Sequence, residues 1–280
     1  MLSLSLGLCA ALAWGIHDIC VRYVSQRGGI LPALTTVLVL GSIVLIPVTL
    51  AFGGWQDMTR RAYGFSVLGG FCYIFGCVGL YKSFGIGPVK LVAPIVGAYP
   101  ILSIGWSAVQ GQAISLDQWL AVGMVVSGIA LVSLLSDQKD SSGSQKEAIG
   151  WAIMAAIGFA CTFAVGHIAT QAGAELPVIL TTRIVTATGV GLLLLYRSGL
   201  TFPERSAWPM LTVMATLDAF ALGIVIASGG LDRPEFAAVA ASVFGIVTII
   251  LAWAFLKEHM APAQWGGVIL TFAGIGYLAV

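Results

Sequence analysis

From Ile30 to Phe52 the sequence carries no charged side chain, and similar, nearly uncharged runs follow one another along almost the whole chain. They fall near residues 2–24, 30–52, 63–85, 88–110 and 115–135, and again near 150–170, 176–196, 208–230, 234–256 and 262–280. A helix rises about 1.5 Å per residue, so about 20 residues cross the roughly 30 Å of hydrocarbon in a bilayer. Soluble domains are about 25% charged, whereas this chain is 9% charged and 59% hydrophobic, too few charges to coat a surface facing water. Helices this apolar on every side need lipid as their solvent. No Lys or Arg precedes Arg22, so the first run reads as a membrane span rather than a cleaved signal peptide.

The strongly hydrophilic stretch Ser136 to Glu147, rich in Ser, Gly and charge, has the composition of a flexible linker. It divides the chain into units at 1–135 and 148–280, with the linker at 136–147. The two units align on each other. Trp14 meets Phe159, Gln26 meets Gln171 and Leu31-Pro32 meets Leu176-Pro177 at an offset of 145; Pro88 meets Pro234, Gln118-Trp119 meets Gln264-Trp265 and Gly128-Ile129 meets Gly274-Ile275 at 146. Five spans per unit is an odd number, so the second unit enters the bilayer from the opposite side. The expected fold is therefore an all-α integral membrane protein of ten transmembrane helices, arranged as two inverted five-helix repeats. Secondary transporters use this geometry to expose one midplane site to either side in turn.

The end of the second unit, LKEHMAPAQWGGVILTFAGIGYL, resembles the ninth-to-tenth helix signature of the drug/metabolite transporter superfamily, in its ten-helix EamA-type members, with Glu258 as the acidic residue. The corresponding stretch of the first unit, GQAISLDQWLAVGMVVSGIAL, carries Gln112 in place of the acid, so any role of that acid passes to Glu258 alone. The resemblance covers almost the whole chain. It implies a gate formed by the fourth and ninth helices, a cavity lined by spans that here carry Tyr73, Tyr81, Tyr99, Trp106, Phe159 and Phe244, and termini inside the cell. It implies no single substrate, because members carry amino acids, nucleotide sugars, phosphorylated sugars, choline-like cations and drugs.

Small residues recur every fourth position at Gly7, Ala11 and Gly15 and at Ala152, Ala156, Ala160 and Ala164, which suits close helix packing in lipid. Pro94 and Pro100 lie inside the fourth span and should bend it, while its counterpart has Gly245 but no interior proline.

Charges at membrane depth cost several kcal/mol unless they face a partner or a cavity. Asp218 falls near the middle of the eighth span and Arg183 near the middle of the seventh, so the two can pair, either as a structural ion pair or as a site for substrate or a coupling proton. On the first span Trp14, Asp18 and Arg22 share one face, with Asp18 and Arg22 in the favourable order for mutual neutralisation; His17 points elsewhere and is a candidate to titrate or to hydrogen-bond. Following faces through the spans brings Arg22, Lys82 and Lys90 to one mouth as a basic collar that attracts an anion or anchors helices at headgroups. The counterparts of the collar are His167, Ser228 and Phe236. The candidate substrate-binding residues are thus Trp14, His17, Asp18, Arg22, Tyr81, Lys82, Tyr99, Phe159, Arg183, Asp218 and Phe244.

The five cysteines lie within apolar spans without a CxxC pair or a histidine at ligand spacing, so neither a metal, another cofactor nor a disulfide is expected. A net charge of +1 gives no footprint for nucleic acid. The expected partners are a small-molecule substrate, the lipid bilayer and a coupling proton, and the sequence leaves monomer and homodimer equally open. No P-loop or HExxH pair occurs, which disfavours a pump or a membrane enzyme; an enzyme or pore acting on a lipid-linked or anionic metabolite is the alternative to a carrier of amino acids or related compounds by export or exchange. Nine Lys or Arg fall on the side opposite the N-terminus against Arg60, Arg61 and Arg233 on its own side, so the positive-inside rule puts both termini outside and opposes the resemblance. Either way the expected location is the cell (inner) membrane, as a multi-pass protein.

Overall fold

The computed structural model describes residues 2–27, 29–99, 101–102, 105, 113, 115–135, 144–228, 240–241 and 243–278. Among these residues the chain forms ten principal α-helices and no strand. In the first half they are α1 (Leu2–Arg27), α2 (Ile30–Phe52), α3 (Arg60–Ile86), α4 (Val89–Gly97) and α5 (Leu116–Leu134). In the second they are α6 (Gln145–Thr170), α7 (Glu175–Ser198), α8 (Trp208–Ser228), α9 (Phe244–Leu251, continued by a π-helical turn at Ala252–Leu256) and α10 (Pro262–Leu278). Helices α2, α3, α5, α6 and α7 are long and apolar enough to cross a bilayer.

The chain is inside-out relative to a water-soluble protein. Leu134 is 84% exposed and Phe255 73%, while Asp18, Arg22, Lys90 and Arg183 are buried. Apolar rings and branched chains cover the outside because lipid, unlike water, imposes no penalty on them. Buried charges must instead find partners among the helices.

The packing repeats itself across the two halves. Helix α3 lies on α6 as α8 lies on α1; α3 touches α7 as α8 touches α2; α4 touches α6 as α9 touches α1. Three further cross-half pairs join a helix to its own counterpart, α2 with α7, α4 with α9 and α5 with α10, and α4 also touches α10. Such a pattern is what a two-fold axis between the halves generates, and with five helices in each the halves are inverted. Glycine holds two of these crossings close. A Cβ on Gly158 of α6 would sit 2.3 Å from the backbone nitrogen of Gly76 on α3, and one on Gly128 of α5 would sit 2.5 Å from the carbonyl of Gly267 on α10. Of the alanine row on α6, Ala152, Ala156 and Ala160 are buried and Ala164 is exposed.

Helix ends follow their caps. Thr59 accepts from the Ala62 amide, so α3 begins at Arg60, earlier than the tyrosine at 63. Gln118 and Gln264, at equivalent positions of α5 and α10, accept at 3.1 Å from Ser115 N and at 2.9 Å from Ala261 N. Helix α6 starts at Gln145, inside the hydrophilic stretch expected as linker, with Glu147 in its first turn where a carboxylate favours the helix dipole. The rest of that stretch, 136–143, lies outside the described residues.

The fourth span is broken rather than bent. Helix α4 contains Pro94 but ends at Gly97; a turn at Ala98 and Tyr99 follows, and Ile101 and Leu102 are helical again. A residue before proline is disfavoured in the helical region, so the chain leaves the helix ahead of position 100. The ninth span breaks too, at Val243 (φ −78°, ψ 3°), which corresponds to Gly97 at the offset of 146. No proline marks that break. Its π-turn ends on Lys257, held at φ 57° in the left-handed region.

Candidate functional site

Helices α1, α3, α7, α8 and α9 converge on a buried polar cluster. The Trp14 indole on α1 donates to Asp218 Oδ1 on α8 at 3.1 Å, and Arg183 Nη2 on α7 donates to Asp218 Oδ2. Both carboxylate oxygens of Asp218 are therefore engaged, and the pair expected from the sequence is made. Its geometry depends on α2: a Cβ on Gly41 would lie 2.5 Å from Arg183 Nη2, so only glycine lets the guanidinium pass. Two donors in this region, Arg183 Nε and the Tyr81 hydroxyl, are buried without a hydrogen-bond partner. Tyr81 lies within electrostatic reach of Asp18, Asp218 and Arg183.

Asp18 faces the same cluster but does not pair with Arg22. Its carboxylate meets His17 Nδ1 at 3.4 Å on one oxygen and accepts from the Thr248 hydroxyl of α9 at 3.3 Å on the other. Phe244, four residues before Thr248, meets the Trp14 ring edge-on at 6.2 Å between centroids. Phe159 stacks obliquely on Tyr73 at 5.8 Å, and Tyr99 packs against Phe163 at 5.0 Å.

Each cation of the basic collar has a partner within the protein. Arg22 donates to the carbonyl of Phe84, in the last turn of α3, where helix carbonyls lack partners of their own. The Gln26 amide, turned oxygen-first, accepts from Arg22 at 3.0 and 3.1 Å. Lys90 donates to the carbonyl of His259 at 2.6 Å, and Lys82 sits over the Trp151 ring at 5.8 Å. Arg22 and Lys90 are 6% and 3% exposed, so they staple helices together rather than reach headgroups or a shared opening. Trp106, Phe236 and the side chains of His167 and Ser228 fall outside the described residues.

Glu258 has a structural position that the sequence did not foretell. Its two oxygens accept from the Val89 and Lys90 amides at 2.9 and 3.1 Å, capping the N-terminus of α4 from the opposite half. Those amides are unpaired within their own helix, and the dipole there favours a negative charge.

Of the expected site residues, Trp14, His17, Asp18, Tyr81, Arg183, Asp218 and Phe244 gather in one region, Phe159 flanks Tyr73 on α3, and Arg22, Lys82 and Tyr99 are drawn to other partners. Thr248 and Gly41 were missed; a mid-span threonine or glycine carries no signal until its neighbours are known.

A model of the EamA-like transporter family matches residues 1–134 and again 146–280. The chain belongs to the EamA-like transporter family. As an EamA-like protein it is a multi-pass membrane transporter of small molecules, in a family of transporters rather than enzymes. A solved crystal structure of a protein 15% identical matches this EamA-like fold with a TM-score of 0.61, covering 98% of this chain and 94% of its own; at that identity the likeness is one of fold. No curated protein matches.

Proposed function

We propose that the chain is a secondary transporter that moves an amino acid or a related small polar metabolite across the cell (inner) membrane, in export or exchange, by alternating access. The observation that carries this reading is the pair of buried donors, Arg183 Nε and Tyr81 Oη, that have no acceptor among the described residues beside the Arg183–Asp218 pair. Buried donors of this kind call for an acceptor, and a substrate carboxylate supplies one. The faces of Trp14 and Phe244 flank the same region and suit an ammonium group or an apolar side chain.

Alternating access is supported by the equivalent breaks in α4 and α9, because interrupted helices near the midplane are the parts that rearrange in carriers built from inverted repeats. The clasp of Glu258 and Lys90 ties the start of α4 to the turn after α9, so opening that end means releasing three hydrogen bonds. The test is counterflow in proteoliposomes with radiolabelled L-amino acids. Saturable uptake that is accelerated by internal unlabelled substrate and lost in Arg183→Gln is the expected result. Unsaturable flux, or no counterflow with any amino acid, would defeat the reading.

A further inference from the structure

The two buried carboxylates of the cluster are held very differently. Asp218 has a guanidinium on one oxygen and an indole N–H on the other. Asp18, 5% exposed, has an imidazole nitrogen at 3.4 Å and a hydroxyl at 3.3 Å. Among the described residues no Lys or Arg compensates it from any helix packed on α1, Lys82 of α3 lying over the Trp151 ring. Helix α2 contains no charged residue; α3 offers the Tyr81 hydroxyl; α8 offers Asp218, a like charge; α9 offers only Thr248; and Arg183 on α7 is committed to Asp218. On α1 itself Cys20 is a weak neighbour, and Arg22, one turn along, is turned away to Phe84 and Gln26.

From this asymmetry we propose that Asp18, oriented by His17 and Thr248, binds the proton that is coupled to transport. This rests on the carrier reading above. A carboxylate at membrane depth must be neutralised; His17, at 3.4 Å, becomes a cation only by taking up a proton itself, so with no permanent cation at hand the ligand that neutralises Asp18 is a proton. The exchange balances simply: the Asp18 carboxylate takes one proton from water on the side to which the site is open and returns it to water on the other. Thr248 ties this event to the gate. It sits on α9 one turn beyond Phe244, itself next to the break at Val243, and its hydroxyl, with one hydrogen to donate, is within hydrogen-bond distance of both Asp18 and the Phe244 carbonyl. Protonation of Asp18 removes the negative acceptor for that hydroxyl and so changes what holds α9 against α1. Asp218, which the sequence also offered as the proton carrier, keeps its guanidinium throughout.

Infrared difference spectroscopy of the purified protein in lipid nanodiscs reads the proton directly. A carboxylic-acid C=O band that titrates with pH is expected in the wild type, at a displaced frequency in Asp18→Glu, retained in Asp218→Asn and absent from Asp18→Asn. Where Asp18→Asn does not fold, the Asp18→Glu displacement decides alone. A band that persists in Asp18→Asn or stays in place in Asp18→Glu, or a wild type with no titrating band, overturns the proposal. In proteoliposomes holding a pH-sensitive dye, addition of a transported L-amino acid should move protons in the wild type and not in Asp18→Asn; equal proton movement in both would also overturn it. The two readings fail separately. A titrating band assigned to Asp18 in a protein that shows no amino-acid counterflow supports the proton site while rejecting the substrate; robust counterflow with a band indifferent to residue 18 rejects the proton site alone.

Discussion

Removing one member of the Arg183–Asp218 pair should cost far more than removing both. Their side chains are 5% and 14% exposed, so neither charge has water to fall back on. Arg183→Gln leaves the Asp218 carboxylate with the Trp14 indole as its remaining bond in the cluster, and loss of one partner from a buried pair costs about 3–5 kcal/mol. Asp218→Asn keeps an oxygen for that indole but strands the guanidinium against Gly41, and should cost a similar amount. The double variant holds no charge, so its cost should fall below either single one. Reversible unfolding in mixed micelles measures all three. Single costs that add to the double cost within about 0.5 kcal/mol would refute the pairing argument. The same variants separate the two roles left open for the pair. A stable double variant without counterflow means the guanidinium meets substrate, and one that transports like the wild type means the pair is structural.

Gly41→Ala should cost about 1–3 kcal/mol in the same unfolding measurement, because the new Cβ collides with the Arg183 guanidinium and displaces it from Asp218. Glu258→Ala should lose about 1–2 kcal/mol by uncapping α4, and Glu258→Gln should recover part of that through its one amide oxygen, both read by thermal unfolding in detergent. Gly158→Ala should force α3 and α6 apart at a cost of about 1–3 kcal/mol, whereas Gly166→Ala, on the same helix with nothing within 4 Å of the added Cβ, should leave stability equal or raised.

What the sequence revealed was what composition and local pattern control. Helix α2 was legible to the residue because glycines bracket an uncharged run. The Arg183–Asp218 pair was legible because lone charges at membrane depth must find each other. The Asp18–Arg22 pairing failed for a reason that a helical wheel omits: the unpaired carbonyl of Phe84, at the end of α3, is a fixed acceptor within reach and takes the guanidinium. Within the collar, Lys90 is likewise engaged by a backbone acceptor, the His259 carbonyl. The prolines of α4 announced a bend where the chain breaks, and the break at Val243 has no proline to mark it. The Glu258 cap was hidden because its partners, two backbone amides, look the same at every position in a sequence.

Two oppositely oriented halves around one buried site put the equivalent loops at Met58 and Glu204 on opposite faces of the membrane. Single cysteines placed at these two positions in a cysteine-free background are to be labelled with a membrane-impermeant maleimide in sealed vesicles of known orientation. Labelling from opposite faces is expected; labelling of both from the same face would overturn the inverted arrangement.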